Sequence, residues 1–165
     1  MKGKFLTPFV ETVTTDGRNF KLLTWLIYRD SKGRHFRTIT DTDGGSTPPW
    51  LWPLIPPFGK KDWKAFVLHD GCYRNEIEIN GFNWNEDWLV NWELRRATCT
   101  TPTWRKWTPS ESESNWLLDD ALKAQGYNRL KRLGVKLALC VFGWRAFDDD
   151  RKRAAIYARA QTKCL

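Results

Sequence analysis

From Phe5 to Thr40, short apolar runs separated by turn residues predict strands: Val10 and Val13, then Phe20 through Tyr28, then His35 to Thr40. The turns fall at Asp16-Gly17 and at Asp30-Ser31-Lys32-Gly33, so the spacing predicts a small antiparallel meander. Its middle run, Lys21 to Tyr28, is apolar on both faces, which predicts a central strand covered on both sides. Beyond Thr40 the chain changes character. Asp41-Thr42-Asp43-Gly44-Gly45-Ser46-Thr47-Pro48-Pro49 is a loop sequence, and Pro53, Pro56 and Pro57 exclude regular helix as far as Phe58.

Helical periodicity begins at about Lys60 and runs to Arg74. Trp63, Phe66, Val67 and Asp70 share one face there, and Asp62, Phe66, His69 and Tyr73 share its neighbour. A second helix is predicted over Glu86 to Ala97, with Asn85 as its cap, acids in the first turn and Arg95 and Arg96 in the last. Residues 99–114 contain Pro102 and Pro109 and predict a long exposed loop, in which Trp104 and Trp107 flank Arg105-Lys106. Helix resumes over Asn115 to Ala124, stops at Gly126 and returns as the apolar stretch Asn128 to Trp144. Leu133, Leu137, Val141 and Trp144 of that stretch are expected to be buried. Asp148-Asp149-Asp150 reads as the cap of a last basic helix, Arg151 to Thr162.

The expected architecture is a single α+β domain over residues 1–165, an N-terminal antiparallel β-meander packed against four to five α-helices. Residues 1–40 form the meander, 41–59 a Gly/Pro-rich loop, 60–98 helices, 99–114 an exposed loop and 115–165 the C-terminal helices. Composition agrees: 165 residues with 41% hydrophobic side chains can bury one core. The 11 tryptophans and 9 phenylalanines exceed what such a core needs, which points to rings facing a partner.

The net charge of +8 is concentrated at one end, because residues 121–165 hold 11 of the 27 Lys and Arg but 3 of the 19 Asp and Glu. That segment is suited to anionic polymers or lipid surfaces, with Arg151, Lys152, Arg159 and Lys163 at spacings that permit a helical stripe. The alternative is core packing with a peripheral basic rim. Cys72, Cys99, Cys140 and Cys164 lack a CxxC spacing, and His35 and His69 are the two histidines, so a cysteine-rich zinc site does not fit. Met1-Lys2-Gly3-Lys4 precedes no apolar run of signal-peptide length, and Leu133 to Trp144 is too short to span a bilayer. The expected setting is therefore a cytoplasm with reduced thiols, and no transmembrane segment is expected.

The concentrated chemistry lies in Asp43-Gly44-Gly45-Ser46 and in His69-Asp70-Gly71-Cys72-Tyr73-Arg74. Paired glycines allow close backbone approach to a ligand, and Asp43 adds a carboxylate, which together suit a cation or oxyanion cradle. His69 and Asp70 point about 100° apart on a helix. They would divide the work, His69 as base or ligand and Asp70 as ligand or orienting group, with Tyr73 one turn along from His69. The plainer alternatives are an Asp70–Arg74 helical ion pair, a structural histidine, and an ordinary turn at Asp43.

Taken in order, these motifs resemble a family of phage and prophage proteins of unknown function that combine a T-D-G-x-S-x-P loop, an H-D-x-x-Y helix and a later A-D-x-x-F-x-x-A-L helix. Thr42 to Pro48 matches the loop with one extra or substituted small residue, and His69 to Tyr73 matches the helix. The resemblance implies a phage setting, in the host cytoplasm or the virion, with other phage proteins or the bacterial envelope as partners. Aligning Asp120-Ala121-Leu122 with the third motif puts Asn115 where the family has aspartate, with Asp119 one turn later. The segment between Glu76 and Ser114 is longer than the pattern requires. A looser similarity connects the chain to calcium-dependent secretory phospholipases, which combine a glycine-rich calcium loop with an H-D-x-C-Y helix. In that scheme Asp43, Gly44, Gly45 and Asp70 would hold a divalent cation, calcium or zinc, and His69, oriented by Asp119 or Asp120, would activate water.

The resulting expectation is metal-assisted hydrolysis of an envelope ester or amide, with His69, Tyr73, Asp119 and Asp120 in catalytic roles and Ser46, Arg74 and Asn115 nearby. Its rivals are a non-enzymatic virion, tail or lysis-associated component with the same residues in structural roles, and a nucleic-acid-binding or host-interaction factor. The hydrolytic reading makes two spatial demands. The Asp43–Ser46 loop must reach the helix face bearing His69 and Tyr73, and Asp119 or Asp120 must reach His69.

Overall fold

Asp30 closes the first well-defined hairpin. Its carboxylate accepts hydrogen bonds from the Lys32 and Arg34 backbone N–H groups at 2.9 and 2.8 Å and from Arg34 Nε at 2.7 Å. Gly33 takes the left-handed conformation that the turn requires, at φ 83°. The hairpin belongs to a computed structural model that describes residues 1–7, 12–14, 20–42, 63–80 and 104–162. The predicted helix over Glu86 to Ala97 and most of the Gly/Pro-rich loop lie outside those residues.

The strands are β1 (Lys4–Phe5), β2 (Thr12–Thr14), β3 (Phe20–Leu22), β4 (Leu26–Arg29), β5 (His35–Thr38), β6 (Asp41–Thr42), β7 (Ile77–Asn80) and β8 (Trp104–Lys106). A five-stranded antiparallel sheet runs β1-β4-β5-β7-β8, and a three-stranded one runs β2-β3-β6. The helices described are α1 (Trp63–Tyr73), α2 (Glu111–Ala124) and α3 (Arg129–Thr162). The α+β class is as the sequence implies, but the meander is not purely N-terminal, since β7 and β8 extend the main sheet from beyond α1. The predicted central strand is divided as well. Residues 23–25 bend the chain, β3 joins one sheet and β4 the other, and Leu23 is left exposed.

Residues 99–114 do not form one long exposed loop. β8 pairs with β7, the Trp107 N–H donates to the Ile77 carbonyl, and the Trp107 ring packs on Phe36 at 4.9 Å. Helix α2 starts at Glu111, four residues before the predicted start, because Ser110 and Glu113 form a reciprocal capping box. Glu113 N donates to Ser110 Oγ at 3.2 Å, while Ser110 N and Ser110 Oγ donate to Glu113 Oε2 at 2.8 and 2.9 Å, and these last two bonds hold the exposed Glu113 carboxyl below its ordinary pKa. Gly126, at φ 90°, ends the helix, and Asn128 Oδ1 caps the next by accepting from Lys131 N.

The two helices predicted after Asn128 are one. Asp148, Asp149 and Asp150 lie inside the continuous 34-residue α3 and cap nothing, since no glycine or proline interrupts the backbone there. Leu133, Leu137 and Val141 are not core residues as predicted but 53%, 59% and 60% exposed. The face of α3 that packs inward carries Val135, Leu139 and Phe147.

The core gathers Leu22, Leu26, Tyr28 and Phe36 from the strands, Val67, Leu68 and Cys72 from α1, and Leu117, Leu118 and Leu122 from α2. Helix α1 is buried on nearly all sides, and Gly71 lets it approach β5, because a Cβ there would overlap the Thr38 side chain. Thr38 is fixed in turn by its bond to the Glu76 carbonyl at 2.7 Å. Gly71→Ala is therefore expected to lower stability by about 2 kcal/mol, as overpacking of a close helix–strand contact does, measured by urea unfolding.

Candidate functional site

His69 and Tyr73 lie one turn apart on α1, on the face that packs against α2, and both reach the same atom of Asn115. His69 Nε2 is 3.1 Å from Asn115 Oδ1, and the Tyr73 hydroxyl donates to that oxygen at 3.3 Å. An amide oxygen only accepts, so the contact assigns the imidazole proton to Nε2 and leaves Nδ1 with its lone pair. The His69 and Tyr73 rings are 4.1 Å apart and tilted, and the Phe147 ring stands edge-on to Tyr73 at 5.0 Å. Burial drives the imidazole pKa down to about 4, against a smaller upward pull from Asn115, so the ring is neutral at pH 7.

Asp70, half-buried on the neighbouring face of α1, accepts a 2.5 Å hydrogen bond from Thr42 Oγ1. Thr42 is buried at the end of β6, which is held by pairing with β3. The first residue of the loop motif is thus tied to the helix motif. Asp43, Gly44, Gly45 and Ser46 themselves lie outside the described residues. Arg74 follows α1 directly, and its backbone N–H donates to the Asp70 carbonyl at 2.9 Å.

Neither aspartate expected to orient His69 does so. Asp120 is buried on another face of α2, where its Oδ2 accepts from the Tyr28 hydroxyl at 2.8 Å and from the Ser31 N–H at 2.9 Å. Gly3 packs so closely on this pair that a Cβ would overlap both side chains. Asp119 is turned to α3, bonding Arg132 Nη1 at 3.0 Å with Lys136 Nζ at 3.8 Å. The reason is helical geometry. Asn115 and Asp119 share a face, but Asp119 lies a full turn beyond the level of His69, and Asp120 is rotated a further 100°.

Arg151 is the residue of consequence that pattern reading misplaced. Instead of joining a basic stripe, its guanidinium donates to the Cys72 carbonyl at 3.3 Å, the Pro109 carbonyl at 2.6 Å and the side chain of Asn75, and it lies over the Phe147 ring at 4.7 Å. It caps the C-terminal end of α1, where Asn75 adopts a left-handed conformation at φ 58°, and partial burial lowers its pKa. The Cys72 thiol beneath is buried and its pKa is pushed up, mainly by desolvation, which makes it an inert core thiol. Lys152 is exposed, whereas Lys163 lies outside the described residues.

Among the described residues, no group of three His, Cys, Asp or Glu side chains is placed to hold a metal ion, and no helix is long and apolar enough to cross a membrane. Of the expected cation ligands, Asp70 is described and Asp43, Gly44 and Gly45 are not. On the outer sheet face, Arg37 bonds Glu78 Oε2 at 2.6 Å and lies over Trp25 at 4.2 Å and Trp104 at 4.6 Å. Two of the surplus tryptophans are thereby accounted for within the fold. Neither a curated protein nor a solved structure matches the chain. Residues 20–138 match a family described as a protein of unknown function (DUF1353).

Proposed function

Because the chain belongs to the DUF1353 family, which is of unknown function, we propose its role from the chemistry of its own residues, in the phage setting that the sequence resemblance implies: a non-enzymatic component whose polar motifs lock the fold. The observation that carries this reading is the single Asn115 oxygen shared by His69 and Tyr73, with both nearby aspartates committed elsewhere. A base works best when its pKa lies near the operating pH. An imidazole at about 4 with an amide as its partner is weakly basic and has no carboxylate to stabilise an imidazolium. As a structural element it does well, since each polar atom it turns toward α2 is matched. The Thr42–Asp70 bond does the same for the loop motif, tying it to α1.

One observation favours the hydrolytic reading, with a calcium or zinc ion and an envelope ester or amide as substrate. The Nε2–H tautomer leaves the Nδ1 lone pair for a proton or a cation, beside the helix position to which the loop is tied. One comparison separates the two. Purified protein and its His69→Gln variant are assayed on p-nitrophenyl esters, on amide analogues and on isolated bacterial envelopes, with calcium, zinc or chelator, and both are melted. The structural reading expects no His69-dependent turnover and a clearly lower melting temperature for the variant. Turnover that disappears in His69→Gln while melting is unchanged would establish the hydrolase instead.

A further inference from the structure

Helix α3 carries an exposed apolar row. Leu130 is 78% exposed, and with Leu133, Leu137 and Val141 it falls at intervals of three, four and four residues, the spacing of a helix–helix seam. Cys140 is exposed at the edge of the same row. The opposite face is already used, by Val135 and Leu139 against the core and by Arg132 against Asp119. Four large exposed aliphatic side chains in one line on one helix form a contiguous patch of the kind that marks an association surface.

The charges beside this row say what fits it. Arg129, Lys131 and Lys136 are exposed at its N-terminal end, while Asp148 and Asp149 are exposed beyond its C-terminal end. Because α3 is one unbroken helix, Asp148 continues the line of Leu137 and Val141, about 27 Å from Leu130 along the axis. We propose that this face is a self-association surface on which α3 pairs antiparallel with α3 of a second copy. Setting Leu137 against Val141 of the other chain brings Asp148 level with Leu130 of that chain, between Arg129 on one flank and Lys131 on the other, and puts Asp149 on the Lys131 flank, at both ends of the seam. A parallel pair would instead oppose Asp148 to Asp148 and set Lys131 beside Arg129 of the other chain, so the charges select the antiparallel arrangement. The two Cys140 side chains then lie close to the twofold axis. A seam of about three turns is smaller than a standard interface of about 1,600 Å², so a reversible dimer at micromolar concentrations is expected. The inference is independent of the role given to His69.

The test is sedimentation equilibrium of the full chain from 5 to 500 µM. A monomer–dimer equilibrium is expected, lost in Leu137→Glu and, as a second variant, in Val141→Lys, with melting temperatures unchanged in dilute solution, where the chain is monomeric and both positions face solvent. Lys131→Asp should weaken the dimer at least tenfold, and adding Asp149→Lys should restore it. In a Cys99→Ser, Cys164→Ser background, mild oxidation should give a Cys140-linked dimer. A chain that stays monomeric at 500 µM, a dimer indifferent to Leu137→Glu, or a charge swap without rescue would overturn the proposal.

Discussion

Asp120→Ala is expected to cost about 3 kcal/mol of folding stability, the loss typical of removing the acceptor shared by one buried and one half-buried hydrogen bond. The Tyr28 hydroxyl, on a side chain with no exposure, and the Ser31 N–H would both lose the oxygen they share. Burial, followed by the bond to Asp120, pushes the Tyr28 pKa well above its ordinary value, so the hydroxyl stays protonated and continues to need an acceptor. Tyr28→Phe alone should cost less, and the double variant should cost less than the sum of the two, because it no longer orphans the Tyr28 hydroxyl, although the Ser31 N–H still loses its acceptor. Urea unfolding of the four proteins in the cycle measures this. A loss below about 1 kcal/mol for Asp120→Ala would show that the aspartate is not a structural anchor and would return it to the candidates for chemistry.

Acid should weaken the fold through His69. Its ordinary pKa is 6.5 and its folded value is about 4, lowered chiefly by burial. Above pH 6.5 both folded and unfolded chains hold the imidazole neutral, and its contribution to stability is complete. As the pH falls from 6.5 towards 4 the unfolded chain takes up a proton that the folded chain refuses, so stability declines over that interval by about 3 kcal/mol. Below pH 4 both states are protonated and this contribution levels off. In His69→Gln, which carries no group that titrates in this range, the decline over the same interval should shrink to what the carboxylates produce. Equal slopes in the two proteins between pH 6.5 and 4.5 would mean that His69 is not held neutral by burial.

Much of the frame is legible in the sequence where a local rule acts alone. Asp30 to Gly33 reads as a turn because aspartate and glycine supply the bond and the φ that the turn needs, and α1 shows its period despite being buried nearly all round. The alternation Ile77-Glu78-Ile79-Asn80 and the capping pair Ser110–Glu113 are equally readable signals, but the first falls in the span expected to be helical and the second in the span expected to be a loop. Other features depend on tertiary choices that no spacing encodes. Three aspartates at 148–150 suit a cap, but helix continuation was decided by Phe147 and Arg151 docking on the end of α1. An apolar row on α3 demands cover without saying whether the cover is the core or another molecule. For the polar motifs, residue type and order located His69, Asp70 and Tyr73 beside one another and linked the loop to them through Thr42. Which of Asn115, Asp119 and Asp120 would face the histidine was settled by the rotation of α2 about its own axis.

The most direct test of the structural reading is an NMR titration of the His69 imidazole nitrogens in the full chain, with and without calcium or zinc. A neutral ring protonated on Nε2, a midpoint near 4 and no response to either ion are the expected results. A midpoint at or above 6.5, or nitrogen shifts that follow added metal, would contradict a locking role and identify His69 as a working base or ligand.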